Sequence, residues 1–429
     1  SHSASYFLQD SWNILNQLTV NFGVRLENQN MKDQLSAVSP TLDVGNSWAP
    51  RVQAIWDFTG QGRGKVAAGW GRFFEAIPLD LGTRSFGSEK GVEADFANCY
   101  ASYSTSNALD PRRQCPVIPG GYVDLNGNPV AYALYSGLET VQPGLKGQYV
   151  DQFSGQVEYE VLADLSLGVV YEGRRIGHVI EDYSPNDGAT FYIGNVGSGI
   201  TFTDPNTGAT VSTVTVTGVD YLTGRTFNAT LAKPKRDYDG VSLVLRKNLS
   251  KHWQAQASYT WSSLRGNYAG LIRTENGQID PNITSEYDLP SLLANKEGPM
   301  PGDRTNTFRA YGAYVFDLGP GLNLTTGGAF RALSGTPVSF LGRHKTYGPS
   351  EVFVLPRGDA GNTPFLTQFD LHGGIAWKFS PPYAIEFTVD VFNLFNTQDA
   401  INLDQNWTND RTMPITGGVC GSRNAASQS

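Results

Sequence analysis

The sequence predicts an all-β protein: an antiparallel, up-and-down transmembrane β-barrel of about twelve strands, incomplete as a barrel. Three observations predict it. Apolar and polar residues alternate along segment after segment of the chain. The links between these segments are short and long in turn. Charge is scarce: charged residues make up 17% of the 429, where soluble domains carry roughly 25%, while Gly reaches 48 and aromatics 12%.

The alternation is the strand signal, because successive side chains of a strand point to opposite faces. From Leu18 the apolar set is Leu18, Val20, Phe22, Val24 and Leu26, against Thr19, Asn21, Gly23, Arg25 and Glu27. From Trp253 it is Trp253, Ala255, Ala257, Tyr259 and Trp261, against Gln254, Gln256, Ser258, Thr260 and Ser262. From Phe369 it is Phe369, Leu371, Gly373, Ile375, Trp377 and Phe379, against Asp370, His372, Gly374, Ala376 and Lys378. No helical stripe of useful length competes. In order, the segments are 4–13, 17–30, 46–58, 64–75, 149–162, 164–178, 236–249, 251–266, 303–318, 321–333, 366–379 and 382–396. They are longer than the ~5–6 residues of an ordinary globular strand and match the ~9–11 that cross a bilayer.

Short links fall near Leu15, Thr59–Arg63, Ala163, Ser250, Pro320 and Pro381, and a long link at 31–45. The other long links, 76–148, 179–235, 267–302, 334–365 and 397–429, are expected as extracellular loops, since outer-membrane barrels put short turns on the periplasmic side. Residues 1–429 therefore read as one partial barrel domain. Aromatics near strand ends, Trp12, Trp48, Trp56, Phe58, Tyr259, Trp261 and Trp377, fit interfacial girdles, although any one of them fits ordinary core packing too. The stretch 199–228 predicts a hairpin above the membrane.

Composition excludes other classes. The net charge of −8 argues against a nucleic-acid binder. Aromatics and aliphatics spread along the whole chain argue against disorder. No run approaches the ~18 apolar residues of a membrane helix. Of three cysteines, Cys99 and Cys115 lie in one loop and can close a disulfide in an oxidising compartment or remain free thiols, and Cys420 lies near the end. Asp124-Leu125-Asn126-Gly127-Asn128 has the look of a calcium turn but lacks the downstream bidentate Glu, so a plain β-turn is expected. The chain opens at Ser1 on a strand rather than a signal peptide, which reads as a piece of something longer.

Catalytic chemistry finds little support. The G-x-S-x-G, H-E-x-x-H and Walker patterns do not occur, and His2, His178, His252, His344 and His372 are scattered. No catalytic, metal or cofactor set is expected. Asp370 and His372 share a face and so allow a base near a barrel rim, but a solvated polar lumen accounts for them as well. Arg25, Glu27, Arg51, Asp57, Arg309 and Arg331 are placed with them as lumen-facing polar residues.

Several segments resemble the TonB-dependent outer-membrane receptors, and within them the branch with an Oar-like barrel. The resemblance lies in SYFLQDSW (5–12) with LTVNFGVRLE (18–27), in WAPRVQAIWDFTGQGRGKVAAGWGRFFE (48–75), in RDYDGVSLVLRKNLSKHWQAQASYTWS (236–262) and in VDVFNLFN (389–396). It implies strands 10 to 21 of a 22-strand barrel, with strand 22 and the plug domain absent. It also implies an outer-membrane receptor that takes up, or helps export, a ligand. The partners it implies are outer-membrane lipid, an unknown extracellular ligand and the TonB–ExbB–ExbD complex acting on the plug. A passive porin, an adhesin or export factor, a barrel hydrolase and a soluble β-sandwich are the competing readings.

Overall fold

A computed structural model describes residues 1–32, 41–85, 91–93, 122–123, 129–130, 133–135, 139–205, 207–278, 281–380 and 382–416. Twelve long strands pair in strict sequence order: β1 (His2–Ile14), β2 (Leu18–Lys32), β3 (Thr41–Trp56), β4 (Gly64–Phe74), β5 (Tyr149–Leu162), β6 (Leu165–Gly177), β7 (Arg236–Ser250), β8 (Trp253–Gly266), β9 (Asn306–Gly319), β10 (Leu322–Leu333), β11 (Leu366–Ser380) and β12 (Tyr383–Val391). Every neighbouring pair is antiparallel. A two-residue strand, Gly298–Pro299, adds to β8. The order runs from β1 to β12 without closing on itself, so the sheet is open. Cys99, Cys115, Cys420 and the run 124–128 lie outside the described residues.

The twelve expected segments coincide with the twelve strands, with two differences at ends. β3 begins at Thr41 rather than 46 because it stays paired to Met31 and Lys32 past a bulge. The segment expected over 382–396 leaves the sheet after Val391. There Asn393 and Asn396 take positive φ of 50° each, and the Asn393 side chain accepts from the Thr397 amide at 3.0 Å, a local bond that competes with strand pairing. The stretch 199–228 makes two hairpins rather than one: Thr201–Thr203 with Thr210–Ser212, and Thr215–Val219 with Thr226–Thr230. The Asp204 and Asp220 backbone carbonyls each accept from a glycine amide four residues on, which closes two separate turns.

Register turns the alternation into two faces. Ile14, Leu18, Trp56, Val66, Val157, Val169, Leu243, Tyr259, Phe308 and Ala332 face one another across ten successive strands. Ser11, Asn21, Gln53, Gly69, Ser154, Glu172, Gly240 and Ser262 form a row on the opposite face across eight. The apolar face is exposed: Val169 at 43%, Leu243 at 50%, Ile385 at 61%. In water such a face across a whole sheet would be untenable, so its solvent is hydrocarbon.

Buried apolar side chains gather instead in the long links. One cluster joins Val179, Tyr183, Tyr192, Phe202, Val216, Leu231, Tyr268 and Tyr287. A second joins Met31, Leu42, Ile77, Leu81, Leu145, Ile180, Ile193 and Ile283. The tail after β12 returns to this layer, where Asn406–Arg411 pairs in parallel with Leu341–His344 and Asn295 donates to the Ile415 carbonyl at 3.1 Å. The molecule is thus a sheet capped at one end by a packed loop layer, with tight turns at the other.

Candidate functional site

The polar face and the loop layer above it make up the site. On the polar face Arg25 pairs with Glu27 at 2.5 Å and donates to the Ser5 hydroxyl at 3.0 Å. Arg51 stacks its guanidinium 4.3 Å from the Phe73 ring centre. Arg309 stands directly opposite Arg331 in the ladder, and Arg331 donates to the Gln368 side chain. Asp57 sits at the turn end of this face, just past β3 and beside Thr19, Lys65 and Ser166, where its carboxylate accepts from the Thr59, Gly60 and Gly62 amides and ties the turn.

Asp370 and His372 do not meet. The Asp370 carboxylate accepts from Gln368 at 2.8 Å and from the Asn393 amide at 2.7 Å. His372 bonds through Nδ1 to Asp390 on β12 at 2.8 Å. A second pair invites the same question. Ser291 Oγ lies 3.0 Å from His344 Nε2, both buried. His344 Nδ1 accepts from the Thr346 and Tyr347 amides at 3.1 and 3.3 Å, so its proton sits on Nε2 and points at the serine. Burial holds the ring's pKa down at about 4. The arrangement is that of a hydrogen-bond donor to Ser291, not of a base.

Of the seven aromatics, Trp12, Trp56, Phe58 and Trp377 lie toward the tight turns and Trp48 and Trp261 toward the loop layer, while Tyr259 stands near mid-strand, opposite Leu243. Trp48 and Trp56 share the apolar face of β3 eight residues apart. That is roughly 27 Å along a strand. On the same face, beyond Trp261 toward the loops, charges take over: Arg175 pairs with Asp239 at 2.7 Å and Arg72 with Asp151 at 2.8 Å.

The loop layer holds a buried charge network that the sequence did not announce. Arg357 pairs with Glu286 and, through Nε, with Glu275 at 3.1 Å. Arg273 reaches Glu275 at 3.6 Å and Glu351 at 3.0 Å. Both guanidiniums stack against Phe353, at 4.8 and 4.4 Å. Lys296 donates to the Glu286 carbonyl at 2.8 Å and lies 3.2 Å from the centre of the Tyr287 ring. Burial pushes the Glu286 carboxyl up, but Arg357, Arg273 and Lys296 outweigh it and hold it below the usual range. Glu181, Asp182 and Asp288 are buried nearby. Burial, with Asp182 beside it, drives Glu181 well above the carboxylate range. The contributing residues are spread from 181 to 357, so no local spacing signals the network.

Between the loop layer and the polar face lies a cavity of about 620 Å³. Its wall is the loop end of β4 to β8, and its lid is formed by residues 269–274.

A chain whose sheet turns an apolar face outward and a polar face inward, beneath a packed loop layer, is an outer-membrane β-barrel protein. It belongs to the family described as "Outer membrane beta barrel domain", whose profile matches residues 1–336. A similar protein is the TonB-dependent transporter Oar of Myxococcus xanthus, 36% identical over 96% of this chain and 37% of that one. The chain thus spans well under half the length of that relative. Similar solved structures include the outer-membrane transporter YddB of Escherichia coli, 12% identical, covering 93% of this chain and 42% of that one, with TM-score 0.47. Another is the ferripyoverdine receptor of Pseudomonas aeruginosa, 12% identical, covering 95% and 36%, with TM-score 0.44. The chain resides in the outer membrane.

Proposed function

We propose that this chain is barrel wall and loop layer of a TonB-dependent outer-membrane transporter. The polar face lines the transport path, the long links face the outside and the two groups of strand-end aromatics mark the membrane interfaces. The observation that carries the reading is that the apolar face is continuous across the sheet while the buried core sits in the long links at one end. A porin needs no such packed layer over its mouth. Arg309 opposite Arg331 fits a path filled by protein, because like charges face to face are destabilising unless something anionic sits against them. On this reading β1 and β12 each have a further strand beside them in the whole barrel, since an open edge in lipid leaves unpaired N–H and C=O groups at several kcal/mol each. The TonB–ExbB–ExbD complex would act through a plug, and Cys99 and Cys115 would be bridged outside the cell.

The test is energy dependence. Ligands captured by the purified full-length protein are followed in cells with and without the proton-motive force. Movement that stops when the force is collapsed supports the reading. Movement that continues unchanged, with open conductance in planar bilayers, replaces it with a passive porin.

A further inference from the structure

Arg236 opens β7 on its polar face, at the loop end, where it borders the cavity. Its Nε donates to the Ala269 carbonyl at 3.1 Å, which fixes the plane of the guanidinium under the lid. Among the described residues no acceptor meets its two Nη atoms. The other charges on the cavity wall are engaged. Arg174 is bonded to Glu172, and Glu75 accepts from Gln148. A half-buried guanidinium with its bidentate edge unused is a fork without its acceptor. Beside it the cavity is lined by Ile176, Leu264, Leu271, Ile272 and Pro301.

We propose that this cavity binds a ligand with an anionic head, carboxylate or phosphate, on an apolar body. The head takes the Nη edge of Arg236 and the body lies against Leu264, Leu271 and Ile272. The volume suits a small molecule or one end of a larger one. The inference rests on the reading that the polar face lines a transport path, but it concerns binding alone and needs no energy source.

The full-length protein in nanodiscs is titrated with phenylbutyrate, phenylbutyl phosphate and phenylbutanol by saturation-transfer NMR, with empty nanodiscs subtracted. The anions are expected to bind roughly tenfold or more tighter than the alcohol, the scale of a charge-assisted hydrogen bond. Whichever anion binds tighter names the head group. Arg236→Gln should erase the ratio and leave the alcohol's affinity, and Arg236→Lys should keep part of it. Ile272→Trp, which fills the cavity without touching the arginine, should weaken all three. Heat-modifiable migration on gels confirms that each variant is folded, and should Arg236→Gln fail it, Ile272→Trp decides. Equal affinity for alcohol and anions, a ratio that survives Arg236→Gln, or binding untouched by Ile272→Trp would overturn the proposal. Binding as expected without energy-dependent movement would leave it standing and sink the transporter reading instead.

Discussion

Arg357 and Glu286 join their side chains in the middle of the loop layer, at 1% and 0% exposure, from positions 71 residues apart in the chain. Neither has water to fall back on. Removing one member of such a pair strands a buried charge at a cost of about 3–5 kcal/mol, whereas removing both can be nearly neutral. Glu286→Gln or Arg357→Met should therefore make the loop layer sensitive to protease in intact cells, and the double variant should recover much of the resistance. Single variants as resistant as the parent would show that the pair is dispensable.

Through Asp288 the loop layer should lose stability as pH rises, against Lys296, whose pKa burial lowers to about 7 and which favours the folded layer at higher pH. Burial pushes the Asp288 carboxyl up to about 8, and Glu181 adds to it against the hydrogen bonds from Tyr347 and Asp182. The folded layer keeps a proton that the unfolded chain releases near 4, so the contribution is complete in acid and is lost as pH climbs through about 8. His344 works the other way: its pKa is lowered by burial from 6.5 to about 4, so its contribution is present above 6.5 and lost as pH falls through 4. Between pH 6.5 and 7, of these three groups, only the carboxyl's contribution changes. Hydrogen exchange over 180–183 and 285–292, corrected for intrinsic rate, should speed up across that window. Asp288→Asn should flatten the rise, and an unchanged slope would assign it to another group.

The apolar face gives the sharpest test of environment. Leu243 is half exposed at mid-strand. At a soluble surface Leu243→Arg would change stability by less than about 0.5 kcal/mol. At the middle of a bilayer it should cost about 2–4 kcal/mol. Gln254→Arg, on the polar face of the neighbouring strand, should cost far less. Urea titration of the full-length protein in lipid, read by gel mobility, compares the two.

The link between β7 and β8 is a two-residue turn, Lys251 and His252, with φ of 50° and 69°. Both are left-handed, as hairpin turns that follow strand twist require, and neither residue is suited to it. A non-glycine residue there costs roughly 1–2 kcal/mol. His252→Gly should raise the urea midpoint in the same assay, and a lowered midpoint would show that the His252 ring packed beside Tyr314 outweighs the backbone strain.

Mass spectrometry of the full-length protein without reduction should find Cys99 joined to Cys115, closing a loop whose tethering is worth roughly 3 kcal/mol in unfolded-state entropy. Two free thiols would remove that element of the extracellular reading.

What the sequence determined by itself is the sheet. Alternation such as Leu18 to Leu26 is a local property, fixed by the two-residue repeat of a strand, and the lengths of the links fix which strands are neighbours. Twelve strands, their order and their two faces follow from it. Where a strand ends is less local: Val391 closes β12 because Asn393 and Thr397 bond each other, which alternation does not encode. Only the tertiary structure decided the loop layer. Arg273, Glu275, Glu286, Glu351 and Arg357 meet because the β8–β9 and β10–β11 links, separated in the chain by β9 and β10, fold over one mouth, and Asp57 ties its turn at the foot of the polar face. A charge in a Gly- and Asn-rich link looks the same in sequence whether it ends in water or beneath a lid; burial, and with it the energy of the pair, depends on contacts between residues that have no fixed spacing.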